Sequence, residues 1–489
     1  MVQACLNVYR AEALILKLFS LLFVIVATSI AAFMIIGTFM QYFKFEVSTN
    51  TRTIFETPAP FPKITICSNN QFQTEYAIQF LKSINKEVAP NVSIFETTEI
   101  QNRTYEEKRQ LIKKILDISI ARMNTDLTNE QRKKLGHNLS DLLVSCRFNN
   151  LHCSSADFLW MFDANYGNCY IFNSGFNLTG GRIETLESSI SDLYYGLQIE
   201  FYAGFHENLT LLNSIYSGLG LIVRIENGTY LENNFDGVKV ASGFQTDINI
   251  QRKFESYLTK PYSACDLPNG EKKSLDSDLY DLIYHSDYQY NQHTCLVQCF
   301  QKLSIKHCNC TNIFLLSLYN AFICKTDLEL ECNQVTFEKK YLSNDYIQNE
   351  CIPLCPLECN TTEIKYSTAS FQIVGNLYVD YVNERPSLRK DFVTKQIVND
   401  VVKDSFALVN IFYGSLSYTE STEAPQMVLI ELFGAIGGNM GLFLGVSLFT
   451  IGELMTLCIE LYFILKLKKK NAKILTDLKV NMFEDKILI

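Results

Sequence analysis

The sequence predicts a membrane protein in which two transmembrane helices flank a large, disulfide-rich, mixed α/β extracellular domain, and three observations carry that prediction. Between Lys17 and Lys44 stand 26 residues without a charge, LFSLLFVIVATSIAAFMIIGTFMQYF, more than the roughly 20 that a helix needs to cross about 30 Å of hydrocarbon. A second uncharged run of 21 residues, Leu432 to Gly452, lies near the other end and continues through Glu453 and Glu460 to Leu465. Of the 16 cysteines, 14 fall between the two runs, with Cys5 before the first and Cys458 inside the second. An even count in a segment placed outside the cell is what a disulfide framework requires.

The flanks orient the spans. Lys466, Lys468, Lys469, Lys470 and Lys473 follow the second run, and Arg10 and Lys17 precede or open the first; excess Lys and Arg mark the cytoplasmic side. The chain is thus expected to divide into a cytoplasmic segment 1–17, a first span 18–43, an extracellular domain 44–428, a second span with the pore 429–465 and a cytoplasmic tail 466–489, in the plasma membrane and in contact with its lipid. The competing reading makes the first run a secretory signal and leaves a single-anchor, cysteine-rich receptor. A signal h-region is only about 7–15 apolar residues long, which favours the retained span. Eight N-x-[ST] sequons, at Asn91, Asn102, Asn138, Asn177, Asn208, Asn227, Asn309 and Asn360, all fall in the same loop and are its candidate glycosylation sites.

Charge excludes one class of partner. The net charge of −9 divides into +2 over residues 1–44, +1 over 431–489 and hence −12 over the loop. So acidic a surface repels nucleic acid and gathers cations.

Within the loop, Thr104-Tyr-Glu-Glu107 is a capping-box pattern, and Leu111, Ile112, Ile115, Leu116 and Ser119 continue it at helical spacing, which predicts a helix over 104–122. Strands are expected at GLQIEFYA from 196, LGLIVRIENG from 219, FDGVKV from 235, SFQIVGNLYVDYV from 370 and NIFYGSLSY from 410. The last leads towards the second span. The cysteines cluster between 265 and 359, where His307-Cys308-Asn309-Cys310 has the donors of a zinc site; in an oxidising compartment disulfides are the better reading, and no metal site is expected. HExxH, GxSxG, GxxxxGK[ST] and GxGxxG are all missing, so no catalytic residues and no enzyme activity are expected.

The second run raises its own question. GAIGGNMGLFLGVSLFTIGELM, 434–455, places Gly437, Gly441 and Gly445 four apart, and Gly434 and Gly438 likewise. That spacing lets membrane helices approach closely, and packing alone would explain it. Glu453 argues for more, because a carboxylate in a span is costly unless it faces water, a partner or a bundle interior. Glu460, seven residues on, shares its helical face. Gly445-Val446-Ser447, one to two turns earlier, offers carbonyls and a hydroxyl as a selectivity filter, with Glu431, Gly434, Gly438, Gly441, Glu453 and Glu460 lining or gating the path. Two spans cannot enclose a pore, so this reading requires an oligomer.

Several segments together resemble one family, the degenerin, epithelial sodium channel and acid-sensing ion channel family: FPKITIC at 61–67, KPYSAC at 260–265, CLVQCFQKLSIKHCNC at 295–310, CPLECNTTEIKY at 355–366 and GGNMGLFLGVSLFTIGE at 437–453. The resemblance covers the chain from the first span to the end of the second. It implies a hand-like subunit of a trimer of identical or homologous subunits, conducting Na+ without a cofactor, blocked by amiloride, and gated by an extracellular peptide, protons or force. It also implies the pairs Cys67–Cys169, Cys146–Cys153, Cys265–Cys359, Cys295–Cys355, Cys299–Cys351, Cys308–Cys332 and Cys310–Cys324. The family's Gly-x-Ser filter falls on Gly445, Val446 and Ser447, its glutamate below the filter on Glu453, and the small residue at the outer mouth on Glu431. The family's His-Gly pair before the first span has no counterpart, the first histidine being His137.

Overall fold

The computed structural model describes residues 14–95, 104–177, 179–202, 219–226, 237–265, 277–286, 290–373, 376–384, 405–445, 452 and 455–468. They fall into two compact units, Met1–Ser48 with Ala424–Ile489, and Thr49–Glu423.

In the first unit, α1 (Leu14–Tyr42) runs 29 residues. It is the one described helix long and apolar enough to cross a membrane. Three of its hydroxyls bond to the backbone one turn back, Thr28 Oγ1 to Val24 O, Ser29 Oγ to Ile25 O and Thr38 Oγ1 to Met34 O, each at 2.8 Å, which satisfies these polar groups on an apolar rod. Most of its side chains are exposed, Phe33 at 77% among them, whereas Ala31 is buried.

The second unit is built on two sheets. Strands β1 (Val47–Phe55), β2 (Ala59–Pro60), β3 (Lys63–Ser68), β4 (Leu143–Phe148), β5 (Leu151–His152), β6 (Phe158–Asp163) and β7 (Gly167–Phe172) come first. Strands β8 (Glu187–Ser188), β9 (Leu197–Tyr202), β10 (Gly220–Glu226), β11 (Val238–Ala241), β12 (Phe244–Ser256), β13 (Asn360–Gln372) and β14 (Phe406–Pro425) follow. One sheet has the order β13-β12-β14-β9-β4-β5, with β1 also on β14; the other runs β11-β10-β3-β7-β6. Ile64, Ile66, Phe172 and Val223 of the second sheet share a core with Ile199, Ile248, Val409 and Ile411 of the first. Burying each such side chain contributes about 1.5–3 kcal/mol. β12 lies parallel to β14 and antiparallel to β13.

Helices occupy the insertions. α2 (Glu75–Val88) and α3 (Tyr105–Thr125) share a core through Ile78, Leu81, Ile84, Ile112, Ile115 and Leu116. The capping box read at Thr104 is formed: Thr104 Oγ1 accepts from Glu107 N, and the Glu107 carboxylate accepts from Thr104 N at 3.0 Å. Further on, α4 (Asp278–Tyr284), α5 (Gln292–Cys308) and α6 (Asp327–Thr336) pack near the cysteines, with Leu279, Ile283, Cys295, Cys299, Cys351 and Cys355 in one buried cluster.

One expectation is corrected. The stretch from Ser370 does not continue as a strand: β13 ends at Gln372, and Asn376–Asn383 is a helix, α7. Its alternation comes from Leu377, Val379 and Tyr381, but with Tyr378 beside them the same residues fit a helical turn, and Tyr378 and Val379 pack on the core. The second apolar run is described in two parts. α8 (Leu429–Leu444) stops after 16 residues, and helical backbone is described again at 455–468.

Candidate functional site

What stops α8 is Gly445. Its N–H still bonds to Gly441 O at 3.1 Å, but its backbone turns left-handed, with φ of +63°. That conformation costs a residue with a Cβ about 1–2 kcal/mol and a glycine almost nothing. The helix begins as deliberately as it ends: Val428 is extended and its N–H donates to the Glu431 carboxylate at 3.0 Å. Glu431, the residue predicted at the outer mouth, is thus fixed as an N-terminal acidic cap, where negative charge favours the helix dipole.

Between these ends the glycines leave bare ground. A Cβ built on Gly434, Gly437 or Gly438 meets nothing within 4 Å, and the same holds for Gly452. Within this chain these faces are therefore open, while Leu432 is buried. Gly441 lies in the last turn of α8. Glu460 is exposed on the helical stretch 455–468. Val446, Ser447 and Glu453 lie outside the described residues.

The second unit holds a cavity of about 700 Å³ lined by α3, α6 and the loop after α5. Four carboxylates, Asp117, Asp327, Glu331 and Glu338, share it with Lys113, Lys114 and an apolar wall that includes Phe314 and Phe337. Lys114 Nζ bridges α3 to Asp327 of α6 at 2.6 Å. Asp117 has no such relief: burial pushes its carboxyl up to about 6, against a smaller pull downward from Lys113. The only local trace of it in the sequence is the i, i+4 pair Lys113–Asp117 on a helix face. A second group that sequence reading missed is the ion pair Arg224–Asp163 at 2.9 Å, with both side chains 4% exposed or less.

The cysteines are joined as Cys67–Cys169, Cys146–Cys153, Cys265–Cys359, Cys295–Cys355, Cys299–Cys351, Cys308–Cys332 and Cys310–Cys324. These are the pairs that the resemblance implies. His307, beside Cys308, lies 3.1 Å from Lys340 Nζ, and burial followed by Lys340 and Lys306 lowers its pKa. Among the described residues no group of three or more His, Cys, Asp or Glu is arranged to hold a metal ion. Asn91, Asn138, Asn177, Asn309 and Asn360 are exposed, whereas Asn102, Asn208 and Asn227 lie outside the described residues.

The chain thus carries a left-handed glycine ending an apolar helix in one unit and a disulfide-stapled, two-sheet fold in the other. The family model described as amiloride-sensitive sodium channel matches residues 3–457. This chain belongs to the amiloride-sensitive sodium channel family. It is 24% identical over 446 residues to acid-sensing ion channel 1 of Gallus gallus, covering 86% of this chain and 74% of that protein. It is 24% identical over 407 residues to the FMRFamide-activated amiloride-sensitive sodium channel of Cornu aspersum, with 68% and 63% covered. It is also 24% identical over 418 residues to epithelial sodium channel subunit beta of Xenopus laevis, with 85% and 61% covered. The chain thus spans under two thirds of the length of the last two. These relatives are channels and a channel subunit by name, which sets the family apart from enzymes.

Proposed function

We propose that this chain is one subunit of a trimeric, sodium-preferring, amiloride-sensitive cation channel of the plasma membrane, with both termini inside and the domain 44–428 outside. The observation that carries the reading is the left-handed Gly445 at the end of α8. Non-helical backbone at membrane depth is tolerated where it lines a cavity or is buried in protein, and the sequence places Val446 and Ser447 next, with Glu453 two turns on. Three such segments around an axis supply carbonyls and hydroxyls to a partly dehydrated Na+, and the open faces at Gly434 and Gly438 receive the neighbouring subunits. The acidic domain raises cation concentration at the mouth.

The extracellular input enters through the second unit. Its cavity between α3 and α6 combines carboxylates with an apolar wall, chemistry that suits a proton or a cationic peptide as the stimulus. The test is whole-cell current from cells expressing the chain, with pH steps, candidate peptides, sodium-for-potassium replacement and amiloride. An amiloride-blocked, sodium-preferring current whose selectivity changes in Ser447→Cys and whose conductance changes in Glu453→Ala supports the reading. Trimers at the surface that stay silent under every stimulus, alone and with related subunits, refute conduction; a cleaved first span with a single anchor would favour the receptor.

A further inference from the structure

On a domain that is acidic overall, positive charge gathers where α5 ends. Lys302, Lys306 and His307 fall in the last two turns of α5, and Lys339 and Lys340 in the π-helical turn Phe337–Tyr341 that continues α6. All five are exposed. Cations in the last turn of a helix offset its dipole, which accounts for Lys306 and His307. Lys340 comes from another element, so the dipole of α5 does not explain why its ammonium lies against the same surface.

The approach is close. Lys340 Nζ is 3.1 Å from His307 Nδ1 and 3.3 Å from Nε2. After burial, the influences on the ring are Lys340, from the turn after α6, and Lys306, from its own helix, and all of them lower its pKa; no carboxylate is among them. The acids close by in sequence or space are engaged elsewhere: Asp278 is held by Lys302, and Glu338 accepts from Gln334 Nε2 at 2.9 Å. Among the described residues Lys306, Lys339 and Lys340 take part in no ion pair.

The fold holds these charges in place. Cys308–Cys332 ties the end of α5 to α6, and Asn333 Nδ2 donates to the Ser304 hydroxyl. Phe337 and Tyr341, which bracket the two lysines, each pack on Phe300 of α5 with ring centroids 5.0 Å apart. Cations that repel one another are thus kept together by packing and a disulfide, and an anion laid across them relieves the repulsion without any rearrangement.

The geometry also selects the kind of anion. The five groups come from two helical elements and stand on an open surface, so one small anion meets only part of them, whereas a chain of anionic groups meets them all. A broad anionic face, such as a bilayer or an acidic protein, would also meet the negative charge of the surrounding domain, net −12 between residues 45 and 430. A slender polyanion reaches the patch alone. Outside a cell that description fits a polysaccharide bearing sulfate esters, which stay ionised at every physiological pH.

We propose that Lys306, His307, Lys339 and Lys340, with Lys302 at their edge, form a docking surface for a sulfated polysaccharide. The choice of partner rests on the extracellular placement of residues 44–428; the surface does not, because binding is read on purified protein and survives if that placement fails. A bound sulfate favours the protonated ring, so His307 takes up a proton as the chain docks, and affinity rises as pH falls from 7.5 to 6.0.

The test titrates the full chain in detergent with a heparin hexasaccharide at fixed salt. The background carries Asn309→Gly, which removes the neighbouring sequon and suits the left-handed backbone there, φ +58°. Lys306→Gln and Lys340→Gln are each expected to weaken binding about threefold to fivefold, the scale of an exposed charge contact, and together by roughly tenfold. Lys340→Arg, which keeps the charge, should stay within about twofold of the parent. Lys86→Gln with Lys239→Gln, exposed on α2 and β11, changes the net charge equally and should also stay within about twofold. Desulfated hexasaccharide and inorganic sulfate should bind at least about tenfold more weakly, and His307→Gln should lose the tightening at pH 6.0. Equal weakening by the Lys86 and Lys239 pair, no effect of the Lys306 and Lys340 pair, or a pH response unchanged in His307→Gln would each overturn the proposal. So would phosphatidylserine vesicles that bind the parent more tightly than the hexasaccharide does and lose that binding in the Lys306 and Lys340 pair.

Discussion

Asp117 should make the second unit less stable at neutral pH than it would be without it. The carboxyl is held at about 6, compared with 3.8 for an ordinary aspartate, because burial in the wall of the α3–α6 cavity disfavours its charged form. At about 1.4 kcal/mol per pH unit, that difference makes the ionised group roughly 3 kcal/mol worse in the fold than in an unfolded chain. The penalty is fully present above pH 6, fades as pH falls from 6 towards 4, and is gone below 4, where both states hold the proton. Asp117→Asn removes it. With unfolding entropy of about 2.1 cal/mol/K per residue over roughly 375 residues, the gain is about 3–4 °C in Tm. Thermal unfolding of the purified full chain in detergent, followed by tyrosine fluorescence at pH 7.5 and at pH 4.0, measures it. Asp117→Asn should melt higher than the parent at pH 7.5 and with it at pH 4.0. Lys113→Gln should widen the gap at pH 7.5, since Lys113 is the charge that pulls the carboxyl down. An Asn variant no more stable at pH 7.5, or one whose advantage survives at pH 4.0, would refute the burial argument.

Three further predictions follow from other parts of the molecule. Arg224→Met leaves Asp163 as an uncompensated buried charge and should cost about 3–5 kcal/mol, read as loss of surface protein by biotinylation; pairing it with Asp163→Leu should recover most of that loss. Replacing Cys299 and Cys351 by serine opens a link across 52 residues and should cost about 2–5 kcal/mol, seen as a lower Tm and faster proteolysis near α5. Gly445→Ala forces a Cβ into left-handed backbone at a cost of about 1–2 kcal/mol, and should shift relative sodium-to-potassium permeability in reversal-potential measurements while leaving surface expression near the parent level.

Sequence pattern and structure agree where the signal is local. The capping box at Thr104 could be read from four letters because both of its hydrogen bonds lie within one turn. The strands at 197–202 and 220–226 were legible as short, apolar, β-branched runs. The stretch after Ser370 failed for a physical reason: alternation over a few residues does not distinguish a strand from two turns of helix, and packing of Tyr378 and Val379 decided for α7. Glycine spacing suggested a special segment, but that the break falls at Gly445 needed backbone geometry. Asp117, the Arg224–Asp163 pair and the approach of Lys340 to His307 were invisible, since each owes its character to groups brought together from distant parts of the chain. The cysteine pairing is also long-range, and fourteen cysteines alone leave it undetermined; the resemblance, not the spacing, supplied it.

The position of β14 in its sheet has a consequence for how the protein is made. Asn410 of β14 bonds to Asp247 of β12 across 163 residues, and on its other side β14 pairs with β9, still further back. Until β14 emerges from the ribosome, β12 with β13 and β9 with β4 are separate ribbons, and Ile199, Ile248 and Ile250 lack the neighbour that buries them. All seven disulfides lie before it, the last of their cysteines being Cys359. The covalent framework can therefore close before the sheet does. Oxidation errors made at that stage go unchecked by the sheet, and a nascent chain awaiting its last strand exposes two unpaired edges to other chains. Folding of this chain should accordingly lean on chaperones and disulfide isomerases until β14 has been made.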